Sequence, residues 1–236
     1  MDNVIILLTW QRPKNLASTL KQLSRQDYKD FDIHISNGHS AHKKYIEDTA
    51  KSFVDRGLLN IQVSHDGNEF SCFRRFFIAR SYAEKGYKRV FFIDDDITIP
   101  RNYMQLFMDS YEPETYQSAY TWTFQNQGAD YYKQRVRVYS NQYDIKYGGA
   151  GVSMVDASVF LNPGLMSPPQ QAYGIDDLWI SYYCDHVLNW KIKHVHIPDL
   201  AIGGGDSVAL YRSIKLNQKE NKATFLRQLV ERGWKV

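Results

Sequence analysis

The first hundred residues alternate four times between a short apolar run and a stretch with helical spacing. The apolar runs cover residues 4–8, 31–36, 59–63 and 89–93, and continuous apolar runs of this kind are typical of strands that are buried on both faces. Helical patterns occupy the intervals between these runs. This order predicts an α/β chain with a mostly parallel central sheet and helices on both of its faces.

The second half of the chain predicts a smaller and more mixed region. It contains a helical pattern at 100–111, alternating segments at 117–124 and 134–140, and a glycine-rich entry to a further strand at 147–155. A helix start near 173–181, a strand at 191–197 and a helix at 213–232 follow. Because no repeat, low-complexity tract or linker divides the chain, we expect one domain over residues 1–236.

Composition limits the function classes. The 236 residues carry a net charge of +3, which is too small to indicate a nucleic-acid partner. The apolar run at 4–8 lacks the basic start and the length of a signal peptide, and no run approaches the roughly 20 residues of a membrane span. Two cysteines are too few for a disulfide scaffold. We therefore expect a soluble cytoplasmic protein without a membrane span.

Three carboxylates follow the fourth apolar run directly. Asp94, Asp95 and Asp96 stand where a buried strand emerges, and unpaired charges are costly to bury, so the cluster requires a cation. Carboxylate oxygens suit Mg²⁺ or Mn²⁺, and ligands of open α/β sheets bind at the carboxyl ends of the strands. The alternative interpretation is a solvated acidic turn.

Other polar residues follow the earlier strands and belong at the same sheet edge. A metal at Asp96 together with Arg12 and Arg74 would form a diphosphate site, because guanidinium groups bind phosphate oxygens in pairs. Asp94 or Asp95 would accept hydrogen bonds from a ribose or a base. The complete set predicted for this nucleotide site is Thr9, Arg12, Asn37, Asp66, Arg74, Asp94, Asp95 and Asp96.

A second acidic pair, Asp176 and Asp177, stands at a predicted helix start. One interpretation is N-terminal capping of that helix. The other is a general base that removes a proton from a hydroxyl nucleophile. Gly174 before the pair and Trp179 after it fit the wall of a site.

These motifs and their order resemble the GT-A class of nucleotide-sugar glycosyltransferases, above all the compact family-2 type. The resemblance covers nearly the whole chain, and Asn37 stands where that family more often has Asp. The matching segments are a Thr-x-x-Arg opening at 9–12, the turn at 36–40, an Asp-x-Asp signature at 94–96, a glycine-rich segment at 148–154 and an acidic motif at 176–179.

The resemblance implies a metal-dependent hexosyltransferase with a nucleoside-diphosphate sugar as donor, UDP-linked in our prediction, and a glycan or glycoconjugate as acceptor. It implies Asp177 as the base of an inverting reaction and Mn²⁺ or Mg²⁺ at Asp96 and Asp94. Gly149, Asp176 and Trp179 would contact the sugar or the acceptor.

The resemblance also divides the chain into a nucleotide-binding half, residues 1–100, and an acceptor half, residues 101–236. A mobile segment at about 203–215 would close over the diphosphate. His194 or His196 would complete the metal site from the last strand.

Three alternatives remain open from the sequence. Residues 92–98 also fit the apolar-Asp-x-Asp-x-Thr pattern of haloacid dehalogenase-type phosphatases, in which Asp94 would be the nucleophile. A protein that binds nucleotide sugars without catalysis would need only one of the two acidic groups. A retaining glycosyltransferase is the third alternative, since sequence does not define where the base lies relative to the anomeric carbon.

Overall fold

The structure is a computed structural model that describes residues 1–67, 69–126, 130–203 and 221–236. Its first half consists of four strands and three helices in strict alternation, as predicted. These elements are β1 (Asn3–Thr9), α1 (Pro13–Ser24), β2 (Asp32–Asn37), α2 (Lys43–Val54), β3 (Ile61–Ser64), α3 (Arg74–Glu84) and β4 (Arg89–Asp94).

The second half contains shorter elements. The strands are β5 (Ile97–Thr98), β6 (Thr115–Ser118), β7 (Thr121–Phe124), β8 (Arg135–Val138), β9 (Tyr147–Gly148), β10 (Val152–Asp156), β11 (Lys191–His194) and β12 (Ala201–Ile202). The helices are α4 (Tyr103–Asp109), α5 (Tyr131–Gln134), α6 (Asp176–Tyr182) and α7 (Lys222–Glu231).

Seven strands from both halves form the central sheet, in the order β11-β6-β10-β4-β1-β2-β3. All neighbours are parallel except β10, which runs antiparallel to β4 and to β6. Two small antiparallel sheets accompany it: β5 pairs with β12, and β7 lies between β8 and β9. The predicted mixed α/β architecture with a mostly parallel sheet is confirmed.

The side chains of β4 show how the sheet supports two apolar layers. Val90 and Phe92 point into one core with α3, whereas Phe91 and Ile93 point into the other core with α1 and α2. All four are fully buried, and burial of side chains of this size stabilises a fold by about 1.5–3 kcal/mol each. The strand therefore holds its last residue, Asp94, in a rigid position.

Strand register brings the predicted polar residues to one edge. Leu8 is paired with Asp94 across β1 and β4, and Thr9 with Asn37 across β1 and β2. Since these strands are parallel, the loops after them emerge on the same side of the sheet.

The structure corrects the predicted elements of the second half in one place. The segment at 117–124 is not one strand, because β6 ends at Ser118 and β7 begins at Thr121 in a different sheet. The first part of the helix predicted at 213–232 and most of the segment predicted as mobile at 203–215 lie outside the described residues. No helix within the described ranges has the length and apolar character needed to cross a membrane.

Candidate active site

One guanidinium joins two of the three carboxylates that follow β4. Arg12, in the loop between β1 and α1, places Nη2 2.8 Å from Oδ1 of Asp95 and Nη1 2.7 Å from Oδ2 of Asp96. The Asp95 side chain is only 4% exposed, so its charge depends on this partner. The sequence prediction grouped Arg12 with this cluster, and the structure brings them into direct contact.

The other two carboxylates of this cluster remain partly accessible. The side chains of Asp94 and Asp96 are 40% and 20% exposed. Burial and the nearby charge of Asp94 raise the pKa of Asp96, although Arg12 opposes the shift. Gly151 leaves room for this arrangement, because a Cβ at that position would lie 1.9 Å from Oδ2 of Asp94.

A second guanidinium connects the acidic cluster with the acidic pair on α6. Arg75 of α3 donates through Nη2 to Oδ1 of Asp94 at 3.1 Å, and its Nε lies 3.0 Å from Oδ2 of Asp176. The contact with Asp176 is an ion pair without the alignment of a hydrogen bond. Phe92 packs beneath Arg75, with the guanidinium carbon 5.5 Å from the ring centroid. The two acidic motifs, about 80 residues apart in sequence, therefore form a single site.

The two carboxylates of the pair differ in pKa. Burial raises the pKa of Asp176 to about 6, against the opposing charge of Arg75 and with the repulsion of Asp177 and Asp94. Burial acts on Asp177 as well, but Lys222 and the hydrogen bonds that Asp177 accepts hold its pKa below the usual value. Asp177 is therefore ionised at neutral pH, and Asp176 has the higher proton affinity of the two.

Among the described residues, three groups hold Asp177. Tyr147 of β9 and Lys222 at the start of α7 both donate to its Oδ2, and the backbone N–H of Leu178 donates to Oδ1 at 2.9 Å. Lys222 also donates to the Tyr147 hydroxyl at 2.9 Å. The capping alternative for the acidic pair rests on one contact, the Leu178 N–H in the first turn of α6, because Ile175 before the helix provides no side-chain cap. The Leu178 contact is to the adjacent residue only.

The residues predicted to hold the nucleotide mostly bond to each other. Arg74 is buried and donates to Ser36 Oγ at 3.0 Å and to the backbone oxygens of Ser71 and Thr9 at 2.7 and 3.2 Å. Ser36 in turn donates to Asp66 at 2.6 Å. The Arg74 guanidinium thus joins β1, β2 and the segment before α3, and its role at a diphosphate stays a prediction.

Asn37 and Thr9 are also buried. The Asn37 amide donates to the carbonyl of His39 and accepts from the His39 N–H, both at 2.9 Å. This commits the amide to its own turn, so the predicted base contact is corrected to a structural role. The Thr9 hydroxyl is enclosed without a hydrogen-bond partner in the described structure.

The predicted sugar contact of Trp179 is wrong. The Trp179 side chain is in the core, its indole N–H donates to the carbonyl of Leu165 at 2.9 Å, and its ring packs on Tyr182. Asp177 and Trp179 are two residues apart on α6 and therefore point to different sides of the helix. Gly149 lies against Tyr120 and Trp122, and its contact with the sugar or the acceptor stays a prediction.

His194 lies apart from the carboxylates in a shallow cavity of about 460 Å³ that His196 also lines. Its Nδ1 is 3.1 Å from the Thr121 hydroxyl, and burial lowers its pKa to about 4. Over the described ranges, no three His, Cys, Asp or Glu side chains group as a protein-only metal site would require. The predicted third ligand from the last strand is thus not found at the acidic cluster.

Asp94 and Asp96 nevertheless fit a hard divalent cation. Mg²⁺ and Mn²⁺ are commonly held by one or two carboxylates, with substrate phosphate and water completing the shell. The two side chains are partly exposed and raise each other's energy by repulsion, and a cation between them would remove that cost.

Sequence reasoning missed the three residues that organise the site, Arg75, Lys222 and Tyr147. A signal existed for Arg75, which falls at helical spacing with the apolar residues Phe76 and Ala79 on the buried face of α3. A charged residue on such a face indicates a buried ion pair. No comparable signal marks Lys222, which lies 45 residues after its partner.

Comparison with protein families gives a match to the model described as "Glycosyl transferase family 2", over residues 4–163. Comparison with curated protein sequences gives no match.

Several solved structures share the fold. The mannosyltransferase PcManGT from Pyrobaculum calidifontis, in complex with GDP-Man and Mn²⁺, has a TM-score of 0.62 at 12% identity, over 90% of this chain and 59% of that chain. TarS from S. aureus, in complex with UDP, has a TM-score of 0.56 at 15% identity, over 81% and 57%. GalNAc-T7, with UDP, GalNAc and Mn²⁺, has a TM-score of 0.60 at 12% identity, over 86% and 43%.

At these identities the likeness establishes the GT-A fold. The chain spans between 43% and 59% of the length of these three proteins.

Proposed function

The chain belongs to glycosyl transferase family 2, and we propose that it transfers a sugar from a nucleoside-diphosphate sugar to a hydroxyl group of a glycan acceptor. The proposed donor is UDP-linked, and the proposed outcome is inversion at the anomeric carbon. In this proposal residues 1–100 bind the nucleotide and residues 101–236 hold the acceptor.

The observation that carries the proposal is the bridge formed by Arg75. It contacts Asp94, which belongs to the cluster suited to a donor, and Asp176, which is adjacent to the candidate base. Transfer between two substrates requires that the groups for donor and acceptor meet in one place, since most of the advantage of a two-substrate site comes from proximity and orientation. A binding protein for nucleotide sugars would not need the second pair.

Asp177 is the proposed general base. It would accept the proton of the acceptor hydroxyl while that oxygen forms a bond to the anomeric carbon and the bond to the nucleoside diphosphate breaks. Because Tyr147 and Lys222 both donate to Oδ2, the acceptor hydroxyl must replace one of them or approach Oδ1. Asp176 would stay beside Arg75, whose positive charge would offset that of the Asp176 carboxylate near the base.

Asp94 and Asp96 would hold a divalent ion, Mn²⁺ or Mg²⁺, which would supply neutralisation of charge on the leaving diphosphate. Arg12 lies next to that position through its contacts with Asp95 and Asp96. It would provide a second positive charge for the same diphosphate. Asp66, which accepts from Ser36 and Ser64, would line the nucleotide side of the site.

The haloacid dehalogenase alternative is wrong. The family-2 match covers the acidic strand together with three β/α units before it, whereas the phosphatase motif belongs on the first strand of its sheet. The Asp177→Asn variant distinguishes an enzyme from a protein that only binds nucleotide sugars. The enzyme loses sugar transfer in this variant, whereas the binding protein has no transfer to lose.

Thermal unfolding tests the donor proposal. The chain is heated with UDP, GDP, dTDP or CMP, each with and without Mn²⁺, because a ligand that binds only the folded state raises the midpoint. We expect UDP to raise it in a metal-dependent manner, and Asp96→Ala to abolish this shift. Asp48→Ala, at an exposed carboxylate on α2, is the matched control and should leave the shift intact. No shift with any nucleotide would contradict the proposal.

A further inference from the structure

The three-stranded sheet of β7, β8 and β9 presents a face of alternating rings and cations, which we name the cation–aromatic face: Tyr120, Trp122, Arg135, Arg137 and Tyr139. Register places these side chains together, because Trp122 is paired with Arg137 on one side and with Tyr147 on the other. Trp122 and Tyr147 stack at 4.7 Å between ring centroids.

The two guanidinium groups of this face lie over the rings. The Arg137 carbon Cζ is 4.3 Å from the centroid of Tyr120, 4.7 Å from Trp122 and 5.3 Å from Tyr139. Arg135 lies 4.9 Å from Trp122. These cation–π contacts fix the guanidinium planes in advance, which lowers the entropy that a ligand would otherwise have to overcome.

The charges on this face are not neutralised by the described part of the protein. Within the described ranges, neither Arg135 nor Arg137 has a carboxylate within ion-pair distance, whereas Arg12 and Arg75 each pair with two. Arg137 donates to the carbonyl of Ala119, and its buried Nε has no partner in the described structure. The buried Nε is not accessible to a ligand, but the positive charges of Arg135 and Arg137 remain available to a negatively charged one.

The face remains partly open to solvent. Tyr139 is 70% exposed, and Tyr120, Trp122 and both arginines are half-buried. Rings at such a surface can support the apolar side of a sugar ring.

One end of the face is continuous with the catalytic site at Asp177. Tyr147 stacks under Trp122 and donates to Asp177. Lys222, which pairs with Asp177, lies 5.4 Å from the centroid of the Tyr147 ring. At the other end Gly149 donates to the Tyr120 carbonyl at 2.7 Å and has no side chain between Tyr120 and Trp122.

We propose that the cation–aromatic face is the acceptor subsite and that its ligand is an anionic glycan, one that carries a carboxylate or a phosphate close to the accepting hydroxyl. The rings would support the sugar, and Arg135 and Arg137 would bind the anionic group. This inference rests on the proposed function and adds the charge of the acceptor to it.

An anionic acceptor also accounts for the position of Lys222. A lysine that pairs with the carboxylate of Asp177 lowers the proton affinity of that carboxylate and so makes it a weaker base. A negative group of the acceptor that approaches Lys222 would reduce this effect at the moment when the base is needed. A neutral acceptor would leave Asp177 paired with Lys222.

The experiment compares two matched ligand pairs by calorimetry on the full chain. The first pair is tetragalacturonate and its uncharged tetramethyl ester. The second is glucose 6-phosphate and glucose. We expect the charged member of at least one pair to bind about tenfold or more tightly than its neutral partner, the size of a hydrogen-bonded charge. The pair that shows the preference identifies carboxylate or phosphate as the group recognised.

Variants locate the effect. Arg137→Gln and Arg135→Gln should each reduce the charge preference several-fold, whereas Arg137→Lys should retain part of it. Arg56→Gln is the matched control, because Arg56 is exposed and lies over the ring of Phe53 on α2, away from this face. It should leave the preference unchanged.

Equal affinity for charged and neutral members in both pairs overturns the inference, and so does a preference that the arginine variants leave intact. The comparison on the unaltered chain needs no variant, so a variant that fails to fold does not remove the test. If UDP and Mn²⁺ bind but no charge preference is found, the inference fails alone. If the preference is found without nucleotide binding, the proposed donor fails instead.

Discussion

The acidic cluster after β4 and the acidic pair on α6 share Arg75, yet the exposure of their carboxylates differs. In the cluster, Asp94 and Asp96 keep side chains that are 40% and 20% exposed. In the pair, Asp176 and Asp177 are 7% and 16% exposed. The more open carboxylates suit a hydrated cation. The enclosed pair suits proton transfer, since burial raises the pKa of Asp176 while Lys222 lowers that of Asp177.

The comparison also shows that the cations have different origins. Arg12 and Arg75 come from the repeated β/α part of the chain, whereas Lys222 comes from the last helix. A guanidinium stays charged under all ordinary conditions and binds two carboxylates through one fork. A lysine carries a single point charge on a flexible side chain. The ion pair between Lys222 and Asp177 is therefore the one that can break and form again most easily.

The largest effect should follow from removing the residue that the two regions share. Arg75→Met leaves Asp94 and Asp176 without their common partner, and loss of one member of a buried ion pair costs about 3–5 kcal/mol. Urea denaturation should show this loss in the free energy of unfolding. Arg80→Met is the control on the same helix, because its pair with Glu84 is exposed, and its effect should stay within about 0.5 kcal/mol. An equal loss of stability in both variants would contradict the claim that Arg75 holds the two acidic regions together.

A smaller effect should distinguish the pair by pH. Burial raises the pKa of Asp176 from 3.8 to about 6, so between these values the folded chain binds more protons than the unfolded chain, and its stability falls as pH rises. The Asp176→Asn variant has no carboxyl group to titrate at this position, so it does not lose this stability as pH rises. The variant should therefore gain roughly 1–3 kcal/mol relative to the parent between pH 4 and pH 7, measured by urea denaturation at each pH. A gap that is constant, or that closes with rising pH, would show that Arg75 dominates over burial.

The smallest effect concerns the open cluster. Gly151→Ala places a methyl group where Oδ2 of Asp94 lies, so the carboxylate must turn into solvent. We expect the dissociation constant for UDP with Mn²⁺ to rise about tenfold, or ~1.4 kcal/mol.

Gly57→Ala provides the contrast to Gly151→Ala. Gly57 has a φ of +64°, and no described atom lies within 4 Å of the point that an alanine methyl group would occupy, so alanine there strains the backbone without touching the site. It should lower stability by about 1 kcal/mol and leave nucleotide affinity unchanged. Unaltered affinity in Gly151→Ala would mean that Asp94 does not contribute to the metal site.

The part of the molecule that local pattern determines was predictable. The four buried strands were recognisable because continuous apolar runs have few other uses in a short α/β chain, and Asp94 to Asp96 stood out because three charges at a strand end need a partner. Their joint location with Arg12 followed from the rule that parallel strands end at one edge.

The rest depended on tertiary contacts that have no local signature. Lys222 contacts Asp177 although 45 residues separate them in sequence, and no sequence pattern near either residue predicts this ion pair. Trp179 was misassigned because helical spacing alone does not say which side of α6 faces the core. Asn37 and Arg74 were correctly placed at the sheet edge, but sequence could not show that their hydrogen bonds are used within the loops.

The most direct test of the account is the Asp177→Asn variant, measured in two ways on the same preparation: transfer from a UDP-sugar and the midpoint shift with UDP and Mn²⁺. We predict that turnover falls about 10²–10⁴-fold, the contribution of a general base, while the nucleotide shift is retained. Asp144→Asn, at an exposed carboxylate, should change neither. Undiminished transfer by Asp177→Asn would contradict the central claim that the acidic pair on α6 supplies the base.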